Sequence, residues 1–461
     1  MFTTAVFDTE LMRRHDRHGP RYTSYPTAVQ FHSSFDTSAY RRAALLSNEH
    51  PAKPLSVYVH VPFCSSPCFY CGCNKVITRD PQQAVDYLRH LVKEIELQST
   101  LFNRHRCIKQ LHLGGGTPTF FSIGQIGQVI DALSQYFYFD DREPREFSIE
   151  VDPRTVTPST FKELAALGFN RTSLGVQDFD PQVQDAVNRR QSTAQVEQCV
   201  RQAREAGFAS TSFDLIYGLP LQTLASFERT LDTVIEMRPD RIAVYGYAHM
   251  PRMFRAQRAL DAAQLPGVEL RLQLLALSVR KLTAAGYVHI GMDHFALPHD
   301  ELCGALRDGS LQRNFQGYST HADCDIIGLG VSAIGSVGNA YAQNRKDLAS
   351  YYQTLDRGQL TIERGVALSV DDLVRRDVIQ RIMCTNAVAY RDIEERYALD
   401  FYGYFAGELQ QLQPLAQDGL VNCDAEGITV SERGRYLLRS IAMVFDSYLK
   451  PQAQTSYSKV I

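Results

Sequence analysis

The chain has 461 residues, of which 44% are apolar and 21% charged. That usage excludes a disordered or fibrous protein, and the length predicts about two or three domains whose cores need neither disulfides nor metals in order to fold. Lys and Arg total 48 against 51 Asp and Glu, a net charge of −3, which argues against a general nucleic-acid binder.

The N-terminal stretch MFTTAVFDTELMRRHDRHG has no apolar h-region and no cleavage-like site, so no signal peptide is expected. No window approaches the roughly 18 consecutive apolar residues of a membrane span, and the expected setting is cytoplasmic. Residues 1–50 include the turn-rich GPRYTSYPT (19–27) and are expected to form an arm or short helix packed on the next domain.

From Leu55 onward, short β-type runs alternate with amphipathic segments. The expected strands are 55–61, 109–113, 147–152, 171–177, 211–217 and 241–247. Apolar spacing of three and four predicts helices between them, for example at Leu88, Leu91, Val92 and Ile95, or Phe227, Leu231, Val234 and Ile235. Asp80-Pro81 and Thr157-Pro158 read as helix starts, and Gly168, Gly207 and Gly286 as helix stops. Six successive βα units imply a parallel sheet with right-handed crossovers, compatible with an open barrel or a doubly wound sheet.

The strand pattern favours the barrel. A strand buried on both faces reads as a continuous apolar run. Here Val57, Val59 and Val61 alternate with Tyr58 and His60, while Phe147, Ile149 and Val151 alternate with Ser148, Glu150 and Asp152. The apolar set can pack on helices while the polar set, which includes Gln177 and Asp214, faces a common interior. A closed eight-stranded barrel fills its interior with branched apolar side chains, so an incomplete or wide (β/α)6-type barrel is expected over residues 51–365. Residues 366–461 change pattern: Ser369 and Asp372 resemble a capping box, 419–430 reads as a hairpin, and a helix follows through Tyr436, Leu437, Ile441 and Val444. The expectation is a mostly helical, winged-helix-like cap, with DNA reading disfavoured by the charge balance.

Ten cysteines are present, and four of them, Cys64, Cys68, Cys71 and Cys73, lie in PFCSSPCFYCGCNK directly after the first expected strand. Loops at that position carry active sites in βα barrels. A disulfide does not suit a reducing compartment, and structural zinc commonly takes two separated pairs of ligands. Packing alone is a poor account of so many cysteines in a loop with Gly and Pro. Closely spaced thiolates suit an iron–sulfur cluster. The remaining cysteines, 107, 199, 303, 324, 384 and 423, read as small core residues. A second motif, LHLGGGTPT (111–119), follows the second strand. Its glycines let the backbone approach a ligand, but it matches neither a P-loop nor G-x-G-x-x-G.

CxxxCxxC after the first strand of such a barrel resembles the radical S-adenosylmethionine (SAM) superfamily. There, three thiolates hold a [4Fe–4S] cluster whose fourth iron binds SAM, and the reduced cluster cleaves SAM to a 5′-deoxyadenosyl radical. The resemblance implies Cys64, Cys68 and Cys71 as ligands. It narrows further through RYTSYPT (21–27), YVHVPFC (58–64), HLGGGTPT (112–119), SIEVDPR (148–154), GVQDF (175–179), DLIYGLP (214–220), YAHMP (247–251), GMDHFA (291–296) and RNFQGYSTH (313–321). Together these resemble the oxygen-independent coproporphyrinogen III oxidase family, from about residue 19 to the C-terminus.

That family implies oxidative decarboxylation of two propionates of coproporphyrinogen III to vinyl groups in haem synthesis, with an unidentified electron donor and acceptor. It also implies two SAM molecules and a monomer. Tyr58, Gly115, Glu150 and Ile334 match the first SAM site, and Tyr70, Gly116, Thr117, Gln177, Arg189, Asp214 and Ala248 the second. Cys73 matches an additional cysteine needed for function that does not hold the cluster. His60 reads equally as a packed strand histidine. Arg21 and Arg313 lie in family-like motifs and are candidates for gripping substrate propionates. The alternative function is a haem chaperone of the same fold without decarboxylase activity, whose members lack the RYTSYPT arm and the extra cysteine.

Overall fold

The computed structural model describes residues 8–15, 17–139, 145–321 and 324–449. The first seven residues of the expected arm and the last twelve of the expected cap lie outside them, as does the start of the stretch read for a signal peptide. No described helix is long and apolar enough to cross a membrane.

All six expected strands form: β1 (Leu55–Val61), β2 (Ile108–Gly115), β3 (Glu146–Val151), β4 (Arg171–Gln177), β5 (Ser210–Tyr217) and β6 (Arg241–Gly246). They are parallel neighbours in chain order. A doubly wound sheet reverses its strand order part-way; this one does not, and the barrel reading holds. Burial alternates residue by residue along β3, β4 and β5, with the apolar set buried and most of the polar set half-buried. The lumen is therefore polar, as the period-two pattern predicts.

The sheet continues past the six strands on both sides. Beyond β6 lie the antiparallel β7 (Val288–Gly291) and β8 (His294–Ala296). Beyond β1 lie a seventh parallel strand, β9 (Asp325–Leu329), and a meander of β10 (Ile334–Val337), β11 (Ala340–Asn344) and β12 (Ile362–Ala367). The resulting 12-stranded sheet ends in β12 and β7, which are not paired with each other, so the barrel is open. Strand β9 was missed because it is a short, wholly buried apolar run outside the βα alternation.

Gly168, Gly207 and Gly286 do follow the last turns of their helices, each with φ between +84° and +94°. The two proline starts differ from expectation. The helix Gln82–Ser99 has Pro81 itself at its N-cap, while Asp80 accepts the Gln82 N–H at 3.0 Å. The helix after Pro158 begins only at Thr160, behind a Ser159 that makes no side-chain cap.

The arm is not one body on the barrel. Leu11, Met12, Tyr22 and Tyr25 belong to the core of the C-terminal region, whereas Phe35, Tyr40 and Ala44 belong to that of the barrel. Tyr22 donates to Asp446 at 2.9 Å, and Arg439 Nε donates to the Pro20 carbonyl at 3.0 Å. The C-terminal region opens with the expected capping box at Ser369 and Asp372 on the helix Val370–Cys384. Its hairpin, Val421–Cys423 and Gly427–Val430, gains a third strand at Ala387–Ala389. The expected helix through 436–444 is instead a short α-helix, Leu438–Ala442, flanked by 3-10 turns.

Candidate active site

The site is built at the C-terminal ends of the parallel strands. Strand β1 runs into the cysteine loop, and the chain returns alongside it: Val76 N–H bonds the Pro62 carbonyl at 2.7 Å and Thr78 N–H the Cys64 carbonyl at 3.0 Å. The glycine run at the end of β2 lies against the same loop, with Gly116 N–H on Val61 O and Thr117 N–H on Phe63 O, both at 2.8 Å. A Cβ on Gly116 would sit 2.8 Å from the Pro62–Phe63 backbone, and one on Gly115 (φ +117°) would sit 2.7 Å from the His60 ring. These two glycines are thus required by the protein's own packing; the expected reason was close approach to a ligand.

One cavity of about 500 Å³ brings together Cys64, Cys68, Cys71 and Cys73 from the loop. Tyr70, Gly115, Gly116, Thr117, Glu150, Gln177, Arg189 and Asp214 face the same space. Ala248, Ile334 and Tyr58 do not line it. Tyr58 lies beside it on β1, its ring stacked on His112 at 5.8 Å, and Ile334 packs against Gly328, the β9 residue paired with Tyr58. Ala248 offers its carbonyl to Gln257, which also bonds the Tyr70 carbonyl, so it is linked to the cysteine loop through one side chain.

The sulfurs sit among donors and cations. Thr117 donates to Cys64 Sγ at 3.5 Å, and Arg189 and Arg154 reach Cys68 Sγ at 3.5 and 3.8 Å. The Cys73 N–H donates to Cys71 Sγ at 3.4 Å, and Lys75 bonds the Cys71 carbonyl at 3.1 Å. Burial pushes the Cys64 thiol up to about 11, whereas the hydrogen bond from the Cys73 thiol, helped by Lys75, draws Cys71 down to about 5. Among the described residues, no group of three or more His, Cys, Asp or Glu side chains converges as a single metal ion requires. A cluster in which each thiolate meets a different iron has no such requirement, and the donor set of thiols on one wall, with hydrogen-bond donors behind them, fits it.

Below the cysteines a chain of polar groups fixes the floor. His60 Nε2 bonds the Asn74 carbonyl at 2.9 Å and must carry the proton there, which leaves Nδ1 to accept from the Tyr58 hydroxyl at 3.0 Å. Burial lowers the pKa of this imidazole, consistent with the neutral tautomer. His60 is thus packed, and it also tethers the cysteine loop. Glu150 accepts from Gly115 N–H at 2.9 Å and bonds His112 Nε2 at 3.2 Å. Burial opposes its ionisation, but the bonds and charge of His112, with the Gly115 N–H, hold its carboxyl below the usual range. Asp214 differs: burial and the nearby Glu150 push it up to about 6, against a single bond from Ser173 at 2.9 Å.

Neither Asp152 nor Arg154 was among the expected site residues, although both stand in the quoted SIEVDPR and Asp152 in the polar set of its strand. Asp152 accepts from Arg154 at 2.6 Å and from Arg189 at 3.1 Å, and Arg189 also bonds the Gly175 carbonyl at 2.6 Å. Polar residues at the C-terminal end of a barrel strand were the available signal. Arg21 and Arg313 lie outside the cysteine cavity. Arg21 bonds the Gly246 carbonyl at 3.2 Å and lies 3.5 Å from Asp293, and Arg313, 5% exposed, stacks over Tyr318. None of the ten cysteines forms a disulfide. Of the six expected in the core, Cys199, Cys303 and Cys384 are buried, Cys107 and Cys324 half-buried, and Cys423 is exposed on the hairpin.

Residues 58–234 match the family model of the radical SAM superfamily, and 368–437 match the HemN C-terminal domain. A curated protein of Pseudomonas aeruginosa, oxygen-independent coproporphyrinogen III oxidase, is 49% identical over 100% of both chains. The chain belongs to the oxygen-independent coproporphyrinogen III oxidase family. The Escherichia coli family member is 47% identical over 99% of this chain and 98% of its own. A solved structure of coproporphyrinogen III oxidase from Escherichia coli, described as a radical SAM enzyme, superposes with a TM-score of 0.92. It covers 97% of this chain and 100% of its own at 46% identity. Membership makes this chain a radical SAM oxidoreductase and brings with it a [4Fe–4S] cluster and SAM; the haem-chaperone alternative is not favoured.

Proposed function

We propose that this chain converts coproporphyrinogen III to protoporphyrinogen IX without oxygen, and that the cavity under the cysteine loop is where it does so. The observation that carries this reading is the convergence, in one cavity, of Cys64, Cys68 and Cys71 with Glu150, Gln177, Arg189 and Asp214 from the ends of successive strands. When bound, the cluster and SAM supply the hydrogen-abstracting radical chemistry of the superfamily. Each propionate loses a hydrogen atom from its β-carbon, then carbon dioxide and one electron, which leaves a vinyl group; the electron passes to an acceptor.

In this reading Cys64, Cys68 and Cys71 hold the cluster, with Arg189, Arg154 and Thr117 donating to their sulfurs and offsetting the negative charge. Tyr58, Gly115, Glu150 and Ile334 serve one SAM. Tyr70, Gly116, Thr117, Gln177, Arg189, Asp214 and Ala248 serve a second. Glu150, held ionised, offers acceptor oxygens to an ammonium group, and Asp214 accepts a ligand hydroxyl, which offsets its cost of burial. Cys73 acts on the substrate side of the loop without holding the cluster. The arm and the C-terminal region brace the barrel and help keep water from a site where a reactive carbon centre forms. Cysteines held outside disulfides suit a reducing, cytoplasmic setting, and the chain is read as a monomer, which size-exclusion chromatography tests.

The test is anaerobic. Reconstituted protein with SAM and a reductant should convert coproporphyrinogen III to the divinyl product, and SAM should perturb the cluster's electron paramagnetic resonance. Tight haem binding with no turnover would overturn the reading.

A further inference from the structure

A second cavity adjoins the first on the outer side of the cysteine loop. It measures about 980 Å³ and shares Cys71, Cys73 and Lys75 with the inner one. One wall is the turn that carries Met253, Phe254 and Arg255; the other is the segment from Gln343 to Lys346 at the end of β11. Asn74 ties the loop to the second wall through the Lys346 carbonyl at 2.9 Å, and Gly72 packs against the Phe254 ring on the first.

The chemistry of the lining is one-sided. Lys75, Arg255 and Lys346 line the groove, and no Asp or Glu does. Arg255 makes no ion pair among the described residues, and neither does Lys346, which burial and the neighbouring Arg364 push below its usual pKa. Between the cations lie apolar groups: Phe69, Ile77, Phe254 and Met253, the last 66% exposed. A groove with apolar walls and an excess of cations in its lining is complementary to a flat apolar body that carries several carboxylates. The lumen cavity below measures 160 Å³, too small for a macrocycle, and a 370 Å³ cavity among Lys53, Asp325 and Arg313 does not reach the cysteine loop.

We propose that this outer groove seats the tetrapyrrole, with Arg255, Lys346 and Lys75 receiving its carboxylates and Cys73 at the junction with the inner cavity. The proposal rests on the function proposed above. It sets the reacting side chain at the loop that divides the two cavities and leaves the other carboxylates on the cationic rim. An acidic electron-carrier protein is the competing occupant, but the groove is a concavity of small-molecule size rather than a flat docking face.

The test uses the anaerobic holoenzyme and its Arg255→Gln, Lys346→Gln and double variants. The probes are coproporphyrin III and its uncharged tetramethyl ester, measured by equilibrium dialysis. Each single substitution should weaken coproporphyrin binding about fivefold and the double more than tenfold. The ester should be indifferent to all of them, and cluster absorbance in the same samples reports folding. KM for coproporphyrinogen III should rise in step. Unchanged porphyrin affinity in the double variant overturns the proposal. So does a loss of turnover seen only when an acidic flavoprotein supplies electrons and restored by dithionite, which would make the groove a reductant dock. Substitution-sensitive porphyrin binding with no turnover in the native enzyme supports the groove and overturns the decarboxylase reading alone.

Discussion

Asp325, buried, and Asp214, half-buried, are carboxylates of the same sheet, and they are treated oppositely. Asp325 opens β9 at the N-terminal end of the barrel. It is met by Arg106 and Lys53, each at 2.6 Å, by the Gly338 N–H at 2.9 Å and by the Ser47 hydroxyl. Burial opposes its ionisation, but these partners hold its pKa below the usual carboxylate value. Asp214 faces the candidate site from β5 with a single serine for a partner and is pushed up to about 6. One end of the barrel is internally complete and the other leaves polar groups for something to bind. Arg189 repeats the lesson: it serves Asp152, Cys68 and Gly175, yet its Nε has no partner among the described residues.

Substitutions at the two ends should therefore fail differently. The largest effect is expected from Cys64→Ala: iron content and SAM cleavage fall to background while circular dichroism shows the fold retained, because a chain of this size does not rely on a metal to fold. Cys73→Ala should keep the cluster and lose turnover. At the closed end, Asp325→Ala strands the Arg106 guanidinium, whose side chain is 0% exposed. It should cost about 3–5 kcal/mol in urea unfolding, with the catalytic rate of the folded fraction unchanged.

Acid separates the two carboxylates by sign. Asp214 binds its proton more tightly folded than unfolded, so the apo protein should lose stability as pH rises from about 4 through about 6. The loss is on the order of 2–3 kcal/mol, and Asp214→Asn should remove it. The lowered Asp325 works the other way: its contribution is present above the unfolded pKa and disappears as pH falls through the folded one. Thermal melts of the parent and both variants from about pH 2 to 8 would show whether the slopes are opposite, that of Asp214 between about 4 and 6 and that of Asp325 below about 4; parallel slopes would break the comparison. The smallest effect is expected from Arg189→Lys, which keeps the charge but loses the fork that spans Cys68, Asp152 and Gly175. SAM affinity should fall roughly tenfold, about 1.4 kcal/mol, with little change in melting temperature.

Much of this molecule is legible along the chain. The six parallel strands, their order and the polar lumen follow from alternation at period two, because each side chain's face is set by its own strand. The cysteine loop is legible for a related reason: its ligand candidates lie in one short segment, so their proximity needs no tertiary contact. Gln177, Glu150 and Asp214 could be assigned to the lumen from their places in the alternation. Asp152 stands in the same alternation at the end of its strand, but nothing local shows that Arg189 arrives from 37 residues away in sequence to join it and Arg154.

What the sequence by itself determined is therefore local: the six parallel strands, the glycine helix stops, the capping box at Ser369 and the CxxxCxxC segment. Only the tertiary structure decided which charges are satisfied. It divided the arm between two cores, engaged Arg21 and Arg313 away from the cysteines, and opened a cationic groove between the 253–255 turn and the end of β11. The physical reason is distance along the chain. Periodicity and spacing act over a few residues, whereas ion-pair partners and cavities arise where segments hundreds of residues apart are packed together.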